Sequence, residues 1–278
     1  MLEIPDNELE LLLAKISSGD KDSELGFFSK PFRITLKNKE LIIKKYSPVK
    51  DPATVDLIVR NHDKYVTKLR SLGIKVPETI IRTVRLKNRH QIIILQEAYK
   101  KEEMLRYLIE KSSEKEMLEL CRLIFDEALK FRNNRSNSDV IGFHPTLRNY
   151  AYHNGHLYYF DTFPPMYMRQ RELNRIILIM SPFGKLIKPL VPTGLINIVS
   201  DENYDFVKMF KGIVGSCCRL KPDNVESILD FSKNYIISAD CNPREKDAIM
   251  KILQAPPRLS GIWTFIRKLS GNTGKPNL

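Results

Sequence analysis

An Asn-Gly pair between two strand-like runs constrains the fold more than any other feature of this chain. Asn154 and Gly155 separate two short tyrosine-rich segments. Asn-Gly readily adopts the positive φ angles of a type I′ turn, so the sequence predicts a β-hairpin. A hairpin brings the residue before its first strand close to the residue after its second strand. These two residues are Asn149 and Asp161, and we expect them to be neighbours.

Asn149 and Asp161 both carry oxygen atoms of the kind that magnesium binds. Magnesium takes one or two protein ligands and completes its shell with phosphates and water. The sequence therefore predicts a magnesium and nucleotide site at the mouth of the hairpin. An ordinary surface hairpin is the alternative, in which Asn149 caps the backbone and Asp161 ends a strand, because both residue types favour loops.

A second hairpin upstream ends in two lysines. The segment 32–46 predicts two strands joined by a Lys-Asn-Lys turn. Successive strand residues face opposite sides, so only one of Lys44 and Lys45 can point into a cleft. We prefer Lys44, with Lys45 as the alternative. Two lysines at the end of an edge strand are also a common solvated feature.

The next segments predict a helix followed by two strands. Apolar residues recur along one helical face over 51–72, with Pro52 near the start and Gly73 just beyond the end. The segment 73–99 then predicts two strands that end near Glu97. The pattern over 102–131 is again helical, and the chain after 165 is mostly helical with breaks at prolines.

This order of segments resembles the protein kinase-like phosphotransferases, especially the aminoglycoside and choline kinase type. In that family a loop Asp is followed five residues later by an Asn, then by a hairpin, and then by a metal-binding Asp. The resemblance implies that Asn149 and Asp161 bind metal, and that His144 stands at the position of the catalytic base. It also places Lys44 at the nucleotide phosphates and Glu97 at the hinge between two lobes.

The chain departs from the family pattern at four points. The base position holds His144 rather than Asp. The helix glutamate that should pair with the lysine is missing, since the corresponding turn 60–63 reads Arg-Asn-His-Asp, and either His62 or Asp63 could substitute for it. No Gly-rich phosphate loop precedes the lysine strand. In addition, Thr162 and Phe163 follow Asp161 where Phe-Gly is usual.

The resemblance implies an α+β, two-lobed protein kinase-like fold. Its smaller lobe, residues 1–97, would be an antiparallel sheet with one helix that binds nucleotide. Its larger lobe, residues 98–278, would be mainly helical and carry the catalytic-loop hairpin. A chain of 278 residues with 42% hydrophobic content can bury one large core or two small ones, and the hinge near Glu97 favours two lobes.

Two functions follow from the resemblance. The first is an ATP- and magnesium-dependent kinase that transfers phosphate to a small-molecule hydroxyl. His144 would orient or deprotonate that hydroxyl, and Arg148 would neutralise charge on the transferred group. The second is a catalytically inactive pseudokinase, a nucleotide-responsive module that binds a protein partner. The combined absence of the loop Asp, the helix Glu and the Gly-rich loop favours the second function.

The formal net charge of +12 calls for an anionic partner or a solubility explanation. Basic residues are spread along the chain, and no zinc, helix-turn-helix or RNA-recognition motif accompanies them. Nucleic acid binding is therefore only a third interpretation, whereas a positive cleft suits a polyphosphate. The segment 261–269 predicts a short basic amphipathic helix, which packs on the body or lies on an anionic membrane.

The remaining sequence signals concern location and packing. No apolar run approaches the roughly 20 residues of a spanning helix, and the first residues are acidic where a signal peptide is basic, so we expect a cytoplasmic protein. We expect its four cysteines to be reduced core thiols, because they lack zinc-ligand spacing. The small residues of 212–219 predict close helix packing, with a substrate or phosphate contact as the alternative.

Overall fold

The computed structural model describes residues 4–5, 9, 31–36, 38–136, 138–180 and 202–258. Four strands form an antiparallel sheet in the order β1-β2-β4-β3. The strands are β1 (Pro31–Leu36), β2 (Lys39–Lys45), β3 (Thr79–Leu86) and β4 (Arg89–Glu97). Helix α1 (Pro52–Ser71) connects β2 to β3. We call these five elements the small lobe and the elements after Glu97 the large lobe.

Strand alternation decides which lysine of β2 faces the large lobe. Leu41 and Ile43 are buried in a small cluster on one face of the sheet, and Lys45 shares their face because strand side chains alternate. Lys44 points to the opposite face. Tyr46, two residues further along, is buried there in the main core.

Helix α1 is fixed at both of its ends. Asp51 accepts hydrogen bonds from the backbone N–H groups of Ala53 and Thr54 at 3.3 and 3.2 Å, which satisfies two of the free donors of the first turn. The helix ends before Gly73, whose φ of +85° ends the helical path at little steric cost. The predicted helix over 51–72 is confirmed.

The large lobe is mainly helical. Its helices are α2 (Leu105–Lys111), α3 (Glu114–Asn134), α4 (Gln170–Met180), α5 (Phe206–Leu220), α6 (Val225–Ser238) and α7 (Pro243–Ile252). The helical pattern predicted over 102–131 is divided, because Ser113 and Glu116 form a capping box that begins α3. A continuous core of buried side chains extends from the inner face of the sheet and α1 into these helices.

The predicted hairpin at Asn154-Gly155 is confirmed. Strands β5 (Tyr150–His153) and β6 (His156–Tyr159) pair antiparallel. Asn154 and Gly155 form the turn with φ angles of 48° and 77°. Both φ angles are positive, as a type I′ turn requires.

The α+β class is confirmed, with a small antiparallel sheet and its helix followed by a mainly helical remainder, in the order expected of a two-lobed kinase-like fold. The boundary at residue 97 stays a prediction. The predicted helix at 261–269 lies outside the described residues. Among the helices that the structure describes, none is both long and apolar enough to cross a membrane.

Candidate functional site

The hairpin holds Asn149 and Asp161 in direct contact. Tyr150 pairs with Tyr159 in the hairpin register, and the N–H of Phe160 donates to the carbonyl of Asn149 at 3.1 Å. The side-chain amide of Asn149 donates from Nδ2 to Oδ2 of Asp161 at 2.9 Å. Neither this hydrogen bond nor the backbone pairing uses the Oδ1 atom of either side chain, so each residue keeps an oxygen suited to a hard cation.

A second acceptor fixes the amide of Asn149. Its Nδ2 also donates to the backbone carbonyl of His144 at 3.0 Å. Asn149 is only 7% exposed, so both N–H groups of its amide donate to acceptors within the protein. The loop 144–149 is thereby closed on itself, and the orientation of the amide is set before any ligand arrives.

Lys44 reaches the residue that precedes Asp161. Its Nζ donates to the carbonyl of Phe160 at 2.8 Å and lies 5.4 Å from the centroid of the Phe160 ring. Burial lowers the pKa of Lys44 to about 8, while attraction to the Asp161 carboxylate opposes part of that shift. A desolvated ammonium at this position would gain strongly from an anionic ligand.

Two further contacts fasten the segment 160–163 to the small lobe. The ring of Tyr46 stacks on that of Phe163 with centroids 3.8 Å apart. In α1, His62 Nε2 lies 3.0 Å from the hydroxyl oxygen of Thr162. With the Lys44 contact, these two contacts hold Phe160, Thr162 and Phe163. Asn149 holds Asp161, the remaining residue of the segment.

His62 is the residue of the 60–63 turn that faces this segment. Its side chain is 1% exposed, whereas that of Asp63 is 71% exposed and points to solvent. Burial lowers the pKa of His62, the nearby charge of Asp63 raises it, and the charge of Lys44 lowers it. A neutral imidazole cannot form an ion pair with Lys44, whereas the resemblance to kinase-like phosphotransferases implies a carboxylate at this position.

His144 is held by a residue that sequence reasoning missed. Its Nδ1 lies 2.7 Å from the side-chain oxygen Oδ1 of Asn203. The backbone of the same loop is also joined, because the N–H of Phe143 donates to the carbonyl of Asn203 at 2.7 Å. Asn203 lies 59 residues further along the chain, and no motif marks it.

The other predicted site residues lie at the edges of this arrangement. Arg148 is half-buried in the short 3₁₀ turn 147–149 beside Asn149. Glu97 ends β4 with an exposed side chain, and its backbone N–H donates to the carbonyl of Glu78 at 3.1 Å. Lys45 pairs in register with Ile93 on the sheet and faces away from Asp161.

The glycine-rich part of α5 is a packing surface. A Cβ added at Gly215 would lie 2.8 Å from the carbonyl oxygen of Pro257. Arg219 donates to that same carbonyl at 3.3 Å and to the hydroxyl of Ser216 at 3.1 Å. These contacts agree with the packing interpretation of 212–219.

All four cysteines are buried free thiols, as expected of reduced core residues. Sγ of Cys121 in α3 lies 3.5 Å from Sγ of Cys217 in α5. Within the described ranges, no three His, Cys, Asp or Glu side chains converge as a metal cluster. A magnesium ion held by one carboxylate, one amide oxygen and nucleotide phosphates does not need such a cluster.

Comparisons with known proteins identify a family and two distant structures. No protein with a curated description matches the sequence. The Helicobacter pylori proinflammatory kinase CtkA aligns at 11% identity and a TM-score of 0.31, over 88% of this chain and 93% of that chain. The Legionella pneumophila effector kinase LegK7 aligns at 10% identity and a TM-score of 0.35, over 95% and 67%.

These two structures are too distant from this chain to assign it a function. The sequence match is of a different kind, because one family model covers residues 10–274, which is nearly the whole chain. The chain belongs to the family of unknown function DUF6206.

Proposed function

We propose that this protein is an atypical kinase-like phosphotransferase that binds ATP and magnesium. One observation carries the proposal. Asn149 and Asp161 touch at the mouth of the hairpin, while Lys44 from the other lobe reaches the residue immediately before Asp161. Two oxygen ligands and a desolvated ammonium at one point match what magnesium and a chain of phosphates require.

The chemistry assigns a role to each residue. Asp161 and Asn149 would hold the magnesium ion through their Oδ1 atoms, and the ion would neutralise negative charge on the nucleotide phosphates. Lys44 would leave the Phe160 carbonyl, or share it, to steady a phosphate oxygen. A bound phosphate would stabilise the charged ammonium of Lys44, which burial deprives of hydration. The adenine would lie along the backbone near Glu97, as the family resemblance implies.

The acceptor is proposed to be the hydroxyl of a small molecule. This rests on the resemblance of the hairpin and its loop to the aminoglycoside and choline kinase type. His144 would stand beside that hydroxyl, and Arg148 would neutralise charge on the transferred phosphoryl group. Phosphoryl transfer depends mainly on positioning and charge neutralisation, so histidine is chemically competent to replace an aspartate base.

One observation favours a second candidate, the pseudokinase. The buried neutral His62 cannot pair with Lys44, and the lysine is instead bound to the Phe160 carbonyl. A protein that binds nucleotide without transferring phosphate would tolerate this arrangement, and it would act through a protein partner. The two candidates share nucleotide binding and differ in turnover and in the partner on which they act.

Thermal unfolding with ATP tests the shared step. We expect ATP with magnesium to raise the unfolding midpoint of the wild type, because a ligand that binds only the folded state stabilises it. Asp161→Ala should abolish the magnesium-dependent part of this rise. Asp63→Ala removes an exposed carboxylate from the neighbouring helix and is the matched control, which should respond as the wild type does.

The same experiment can also contradict the nucleotide proposal. If ATP and magnesium leave the wild-type midpoint unchanged at millimolar concentrations, the nucleotide proposal is wrong. If Asp161→Ala responds like the wild type, nucleotide binds elsewhere. A magnesium-dependent rise without release of ADP, measured with and without candidate alcohols, would favour the pseudokinase.

A further inference from the structure

His144 and Asn203 form a pair whose hydrogen-bond chemistry is defined. Nδ1 of His144 lies 2.7 Å from Oδ1 of Asn203. A carboxamide oxygen accepts hydrogen bonds and cannot donate them. When the imidazole is neutral, the proton of this hydrogen bond therefore lies on Nδ1. Nε2, the other ring nitrogen, is left with a lone pair.

Backbone bonds keep the two residues together independently of their side chains. The N–H of Phe143 donates to the carbonyl of Asn203 at 2.7 Å, and that of Thr146 donates to the carbonyl of His144 at 2.9 Å. Tyr204 is anchored as well, since its hydroxyl donates to the carbonyl of Met168 at 3.0 Å. The side chain of Asn203 is thus presented to His144 by a segment that is itself fixed.

We propose that Asn203 is a positioning residue, which holds His144 as the tautomer that accepts a proton at Nε2. This inference rests on the proposed phosphotransferase function. In the reaction, the acceptor hydroxyl oxygen would form a bond to the γ-phosphorus while the bond to the β,γ-bridging oxygen breaks. ADP would leave with that electron pair, and the hydroxyl proton would move to Nε2 of His144. The opposite tautomer would present a proton at Nε2, which could not accept another.

The loop sequence gives this pairing a physical reason. An aspartate at the base position needs no tautomer control, because either carboxylate oxygen can accept a proton. Histidine has two distinct nitrogens, and only one can face the acceptor. Replacing the family aspartate with His144 therefore calls for a second residue that decides which nitrogen carries the proton, and Asn203 is placed to do so.

Nitrogen-15 NMR of histidine-labelled protein tests the tautomer directly. Spectra are recorded at a pH well above the ordinary histidine pKa of about 6.5, and the signals of His144 are those that His144→Gln removes. We expect wild-type protein to show the proton on Nδ1. Asn203→Ala should shift the tautomer toward Nε2, whereas Asn203→Asp keeps an accepting oxygen and should restore the wild-type signals. A proton on Nε2 of the wild type would overturn the inference.

Kinetics provides a second readout. With water as acceptor, Asn203→Ala should lower kcat for ADP release at least tenfold and leave KM for magnesium-ATP within about twofold, because the variant retains every proposed nucleotide contact. Asn203→Asp should recover most of the loss. Equal kcat in the wild type and Asn203→Ala would overturn the inference.

The two proposals fail in different ways. If magnesium-ATP does not raise the unfolding midpoint, the nucleotide proposal fails whatever tautomer the spectra show. If the midpoint rises but the wild-type imidazole carries its proton on Nε2, the nucleotide proposal stands and the positioning role of Asn203 fails. Thermal unfolding of Asn203→Ala without ligand checks that this variant is folded. If it is unfolded, the spectra of the wild type and of Asn203→Asp still test the inference.

Discussion

The imidazole of His62 lies 3.0 Å from the hydroxyl oxygen of Thr162. This contact joins the middle of α1 to the residue directly after Asp161. A carboxylate at the helix position would attract Lys44, whereas a neutral imidazole instead holds the backbone that carries the candidate metal ligand. The chain thus connects its two lobes at this point by a neutral hydrogen bond between buried side chains.

The buried state of His62 predicts a pH dependence of stability. Its pKa in the folded protein lies below the ordinary value, so the unfolded state binds more protons and the free energy of unfolding falls as pH falls below about 6.5. Each unit of lowered pKa costs about 1.4 kcal/mol once the pH is below the folded pKa. Urea unfolding measured between about pH 8 and pH 5, the range in which histidine titrates, reports this loss.

His62→Gln is the control for this dependence. Glutamine retains a donor and an acceptor near Thr162 but does not titrate. The unfolding free energy of the wild type, relative to that of the variant, should therefore fall as the pH falls. A difference that stays constant with pH would mean that His62 titrates as it does in the unfolded chain. Four other histidines are present in both proteins, so their contributions cancel in the comparison.

Replacing the two lysines of β2 one at a time separates the effect of position from the effect of charge. Lys44→Met should weaken magnesium-ATP binding by about 1.5–3 kcal/mol, roughly ten- to hundredfold, because it removes a charged donor from the candidate phosphate site. Lys45→Met removes the same charge from the opposite face of the strand and should change affinity little. Equilibrium titration with a fluorescent ATP analogue measures both. Equal losses would indicate a general effect of net charge.

Gly215 and Gly212 offer a matched pair within α5. A Cβ at Gly215 would meet the carbonyl of Pro257 at 2.8 Å, whereas one at Gly212 meets nothing within 4 Å. Gly215→Ala should therefore destabilise the protein by about 1–3 kcal/mol through overpacking. Gly212→Ala should stabilise it by up to about 1 kcal/mol, since alanine favours the helix. Chemical denaturation of both variants checks the opposite signs, and equal signs would contradict the packing role of Gly215.

The turn at Gly155 predicts a loss that comes from backbone conformation alone. Its φ is +77°, and an added Cβ meets nothing within 4 Å, so Gly155→Ala introduces strain without a clash. We expect a destabilisation of about 1–2 kcal/mol, the cost of a left-handed residue with a side chain. Thermal unfolding measures it, with Gly212→Ala as the control that adds the same methyl group in a helix. No loss would mean that the turn relaxes to another type.

Local sequence patterns predicted the elements that build the candidate site. The Asn154-Gly155 turn placed Asn149 beside Asp161, because hairpin pairing is decided by residues adjacent in the chain. The capped amphipathic helix α1 was equally visible. Alternation along β2 limited the inward-facing lysine to one of two, but only the position of the sheet against the large lobe showed that it is Lys44.

The sequence by itself determined the hairpin, the helix and the residue types of the site, since turn chemistry and periodicity act over a few residues. Only the tertiary structure decided that His62 rather than Asp63 faces Thr162, because adjacent helical residues point in different directions and packing selects between them. It alone brought Asn203 to His144, across 59 residues of chain. Contacts of that range arise from how the large lobe packs as a whole, which no local pattern records.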